Sequence, residues 1–83
     1  MVQEVSSGVV NAAQLRAARV WLAMSQDQVA TAAGLTRHTI MRLERDTSAA
    51  EQRTLRDICK VFETRGIRFL FSDGVGVGIS TLG

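Results

Sequence analysis

From Asn11 the apolar positions Leu15, Ala18 and Leu22 recur every three to four residues, the spacing of one helical face. Asn11 itself is a capping type. Its side chain can accept from the backbone N–H three residues on, where Gln14 can reach back, so a first helix is predicted from Asn11 to about Ala23. Ser25 and Gln28 repeat that arrangement. Val29, Ala30 and Ala33 then line one side until Gly34, a residue suited to the left-handed turn that closes a helix. Thr36 caps a third helix with Ile40 and Leu43 inward and Arg37, His38, Thr39 and Arg42 outward. Thr47-Ser48 interrupts the pattern, and Ser48 stands three residues before Glu51, so a further helix begins in this region and ends at Gly66. Its stripe is Leu55, Ile58, Cys59 and Phe62.

At Ile67 the period changes to two. Ile67, Phe69 and Phe71 alternate with Arg68, Leu70 and Ser72, and Val75, Val77 and Ile79 with Gly76, Gly78 and Ser80. Asp73-Gly74 between them takes the positive φ angles of a tight turn, so residues 67–83 read as a terminal hairpin, with a glycine-loosened tail as the alternative. Val2 to Gly8 shows no period, and residues 1–10 read as a short arm. Gly76-Val77-Gly78 superficially resembles part of a phosphate-binding loop, but it lacks the following helix and the Lys-Ser/Thr signature.

Composition narrows the function. The chain has 83 residues, 46% hydrophobic, enough for one domain with one modest core and too small for a large catalytic cavity. A single cysteine permits no internal disulfide, which points to a reducing cytoplasm. No apolar run is long enough to span a bilayer, and Met1-Val2-Gln3-Glu4 does not begin a secretory leader. Cys59 lies on the core stripe and reads as a small buried hydrophobe, since the one histidine is on another helix's outward face. No paired carboxylates or metal-ligand cluster are present, so neither an enzyme nor a cofactor or metal site is expected. The net charge is only +2, but the basic residues are nine Arg to one Lys. Arginine's planar fork suits phosphate and guanine edges, so this bias leans towards recognition, with genomic codon bias as the plain alternative.

Residues 26–45 resemble the helix-turn-helix of phage-repressor-like regulators, the xenobiotic-response-element (XRE) family, in Ala30, Gly34, Leu35, Ile40 and Leu43. Two short helices crossing steeply leave room only for a methyl at Ala30, while Gly34 reverses the chain and Leu35 plugs the corner. With Met24-Ser25-Gln26 before it and Thr54-Leu55-Arg56 after it, the resemblance covers residues 11–66. No proline occurs in residues 46–52, where many relatives carry one. The resemblance implies a mainly helical fold, a four- to five-helix lambda-repressor-like domain, extended here by a C-terminal hairpin or strand.

It also implies roles. The third helix would enter the major groove of double-stranded DNA, making Arg37, His38 and Arg42 base readers, with Thr39 on a phosphate or thymine methyl. Gln26, in the first turn of the second helix, would support a phosphate contact, joined more weakly by Arg45 and Arg16. Arg19 and Glu44 would form a partly buried ion pair between the first and third helices. The expected function is a sequence-specific transcription regulator that occupies an inverted-repeat operator as a homodimer. Asp27 is thin support for a polymerase contact. Alternatives are an autoregulatory antitoxin with a toxin partner, or a protein-interaction adaptor. The apolar residues Ile67, Phe69, Leu70, Phe71, Val75, Val77 and Ile79 are the expected dimer interface, resting on Trp21, with closure of a monomer's own core as the alternative.

Overall fold

The computed structural model describes residues 2–3 and 8–81. Asn11 and Ser25 each close a reciprocal cap with the glutamine three residues on, starting α1 (Ala12–Trp21) and α2 (Gln26–Ala33). The α1 helix stops two residues before the predicted end. The Met24 and Ala23 N–H groups turn back onto the carbonyls of Arg19 and Val20, with Ala23 in the left-handed region at φ 55°. Gly34 ends α2 with φ 69° and the same pair of returning bonds, Leu35 onto Ala30 and Gly34 onto Thr31. Thr36 caps α3 (Arg37–Leu43) by accepting from the Thr39 N–H.

The fourth helix, α4 (Gln52–Glu63), starts later than Ser48 predicts. Ser48 instead gives both its N–H and its hydroxyl to the Asp46 carboxylate, at 2.8 and 2.9 Å, forming a turn of its own. Those bonds, the backbone one foremost, hold the Asp46 carboxyl below the usual aspartate range. Glu51 becomes the cap residue without a side-chain cap bond.

The hairpin consists of β2 (Ile67–Ser72) and β3 (Val75–Thr81), joined through Asp73 and Gly74 at φ 52° and 79°, the sign pattern of a type I′ turn. Residues read as an arm contribute a strand as well: β1 (Val2–Gln3) pairs antiparallel with β2, giving the order β1-β2-β3. In the β2–β3 ladder Leu70 pairs with Gly78 but Phe71 with Gly76, so Val77 is an extra residue, a bulge. The bulge breaks the strict alternation of β3. Val75 and Val77 remain 63% and 53% exposed, whereas Ile79 packs against the core.

The hairpin folds back on its own helices. Ile67, Phe69 and Phe71 are buried in one cluster with Leu15, Val29, Ile40, Leu43, Ile58 and Phe62, and the Phe62 and Phe69 rings meet edge to face at 6.3 Å. Their expected place in a dimer interface is therefore corrected. They supply the apolar surface that four short helices lack and are at most 2% exposed in the folded chain.

The outer edge of β3 is also covered over its first half. Val9 bridges to Val75, the Asn11 amide donates to the Gly76 carbonyl, and Gln14 Nε2 donates to the carbonyls of Gly78 and Leu70 at 3.0 and 2.8 Å. Gln14 is fully buried, and its Oε1 accepts from the Asn11 N–H, so one amide caps α1 and bonds to the carbonyls flanking the bulge. A Cβ at Gly76 would lie 2.0 Å from that Oε1. The glycine thus serves close packing of helix on strand, which accounts for a feature that superficially suggested a phosphate loop. Among the described residues, no helix is long and apolar enough to cross a membrane.

Candidate nucleic-acid interface

The α2 and α3 helices are joined by Gly34, Leu35 and Thr36, and their crossing is closed by Val29, Ala30, Ile40 and Leu43, all buried. With those side chains inward, Arg37, His38 and Arg42 are exposed along the other side of α3, His38 and Arg42 one turn apart. Thr39 is half-buried, and its hydroxyl lies 3.0 Å from that of Thr36, within the cap. Met41 is half-buried on the flank, and Arg45 is exposed just beyond the helix.

Glu44 is the hub that fixes α3. Its carboxylate is 5% exposed and accepts from Arg19 Nε at 2.6 Å and Nη2 at 3.1 Å, a bidentate pair between α1 and the end of α3. Arg19 also donates to the Met24 carbonyl, and Gln26 Nε2 reaches Glu44 Oε1 at 3.3 Å. Arg16, expected as a weaker phosphate contact, donates to the Glu44 backbone carbonyl, one of those left open at a helix end. Arg16, Arg19 and Gln26 therefore converge from two helices on one residue. Gln26 remains half-buried beside the N-terminus of α2, where free N–H groups and the helix dipole favour an anion.

One contact at this surface does not follow from either helix alone. The Asp27 carboxylate lies 4.0 Å from Arg37 Nε, with both side chains largely exposed. Ten residues separate them, so no local spacing rule links them; only the helix crossing brings them together.

The dimer candidates outside the core are distributed differently. Trp21 is 65% exposed at the end of α1, Leu70 is half-buried, and Val75 and Val77 are exposed with Val9 beside Val75. Cys59 is buried, and burial first, then the nearby Glu63 charge, pushes its thiol up to about 12. Burial likewise raises the Glu63 carboxyl. Among the described residues, no group of His, Cys, Asp and Glu could hold a metal ion.

A helix-turn-helix family model matches residues 15–69, which takes in α1 from Leu15 onward, α2 to α4 and the first half of β2. A comparison with curated proteins finds no match.

Proposed function

Since the chain belongs to the helix-turn-helix family of XRE type and is a DNA-binding regulator, we propose that it recognises a specific operator with α3 in the major groove and does so as a homodimer. The observation carrying this reading is the exposed trio Arg37, His38 and Arg42 on a helix held in place by the bidentate Arg19–Glu44 pair. Arginine is the side chain that pairs bidentately with guanine O6 and N7, and a fixed helix makes such readout selective. The N-terminus of α2, with Gln26, positions the domain on a phosphate and carries no sequence information. Regulation then follows from occupancy of the operator.

Dimerisation is supported by arithmetic and by surface. One such helix reads only a few base pairs, whereas a two-fold dimer engages half-sites about 34–36 Å apart. Val75 and Val77, exposed on a strand that carries no charged residue, and Val9, bridged to Val75, are among the apolar side chains left outside the core and form the patch for a second copy. Sedimentation of Val77→Lys checks this part: a folded monomer with weaker operator binding is expected, and an undisturbed dimer refutes the patch. The central test is selection of duplexes from a random pool. Recovery of an inverted repeat, protected in footprinting and bound far more tightly than random DNA, is expected. Equal affinity for selected and random duplexes refutes sequence-specific recognition.

A further inference from the structure

Asp27 puts a negative charge in the first turn of α2, beside the place where the proposed function brings a phosphate. The helix dipole explains why an acid is tolerated there in the free protein, yet the same charge opposes a duplex backbone wherever Arg37 does not stay beside it. Stability does not explain it. An ion pair 4.0 Å apart between side chains 74% and 61% exposed contributes almost nothing to folding. Its geometry bears instead on which nitrogens of Arg37 stay available. With Nε turned to Asp27, the guanidinium of Arg37 leaves its two terminal nitrogens for a base edge. Arg65 lines the same hollow as Asp27, but its Nη1 is bound to the Val61 carbonyl.

We propose that Asp27 is a specificity-determining positioning residue, which aims Arg37 at bases and penalises DNA that offers Arg37 only phosphates. On a duplex with a matching guanine, the two terminal nitrogens find O6 and N7 while Asp27 still faces Nε, so the acid costs little. On any other duplex Arg37 must turn to the backbone, away from Asp27, and the carboxylate is left repelling phosphate. The inference rests on the DNA-binding reading above and adds to it a source of discrimination that touches no base.

The experiment titrates wild type, Asp27→Asn, Asp27→Glu and Asp57→Asn with a random-sequence duplex and with the duplex recovered by selection, over a range of salt. Asp57 lies beside Ala32 and Ala33, at the C-terminal end of α2, and controls for net charge alone. Asp27→Asn should bind the random duplex roughly three- to tenfold more tightly at low salt, with a steeper salt dependence. It should gain nothing on the selected duplex, so its discrimination falls by the same factor, while Asp27→Glu retains it. Unchanged binding of random DNA by Asp27→Asn, or an equal gain in Asp57→Asn, overturns the inference and leaves DNA recognition standing. A wild-type protein that binds neither duplex overturns the DNA-binding reading itself.

Discussion

Removing Arg19 or Glu44 tests whether the recognition helix is held by a coupled pair. Breaking one side of a fully buried ion pair costs about 3–5 kcal/mol, because the remaining charge is stranded. The two ends of this pair are unequal. Arg19→Ala strands a carboxylate 5% exposed, with only the long Gln26 bond remaining, which places its cost at about 3–4 kcal/mol. Glu44→Ala strands a guanidinium that is 21% exposed and keeps the Met24 carbonyl, so about 2 kcal/mol is expected. The double variant leaves no stranded charge and should cost little more than the smaller single loss, a coupling of roughly 3 kcal/mol. In a domain this size each kcal/mol moves the midpoint by about 4–8 °C, so Arg19→Ala should melt more than about 12 °C below wild type. Urea and thermal unfolding of the four proteins, followed by circular dichroism at one pH and salt, measure the cycle. Additive losses, with coupling under about 0.5 kcal/mol, would refute the argument, as would Glu44→Ala being the costlier single change.

Other outcomes follow from the same geometry. Arg37→Ala and Arg42→Ala should each reduce preference for the selected duplex by about 1–3 kcal/mol in competition titrations while the folding midpoint stays put; equal losses on random DNA would make them phosphate contacts. Gln26→Ala should weaken binding to every duplex alike, and a changed base preference in the same titrations would contradict that role. Ala23→Gly should stabilise the protein by about 0.5–1 kcal/mol, read as a higher melting point, because a Cβ is strained at φ 55° in the closing turn of α1. Cys59, whose thiol is pushed up to about 12, should resist alkylation in the folded protein at pH 8 and react quickly in urea. Because folding favours its neutral form, stability should fall as pH rises above 9, where the unfolded chain's thiol ionises first, by about 1.4 kcal/mol per pH unit at most.

What was legible in the sequence is what short-range chemistry decides. Asn11 with Gln14, Ser25 with Gln28, Thr36, Gly34 and Asp73-Gly74 each act within a few residues, and each lies where its spacing predicts. Ser48 misled because Asp46, two residues before it, takes both of its donors. The Val77 bulge left no trace, since Val-Gly-Val-Gly-Ile alternates in the same way with or without an extra residue. A strand of two residues has no period, so β1 was invisible, and the apolar face of β2 is equally suited to its own helices or to a partner. At the interface, the outward arginines follow from helix phase, and the Arg19–Glu44 pair from family resemblance. The Asp27–Arg37 contact and the Arg16 bond to Glu44 required the tertiary crossing.

The pairing of Val2 with Ser72 also bears on the order in which the molecule assembles. Closing a loop between residues so distant in the chain costs more entropy than forming helices and a hairpin whose caps and turns are local, so the pairing of β1 is expected after those elements. The Phe69 and Phe71 side chains reach the core with the hairpin, which closes locally through Asp73 and Gly74. Until that hairpin docks, the helix-turn-helix is an unfinished cluster that lacks Ile67, Phe69 and Phe71 from its core.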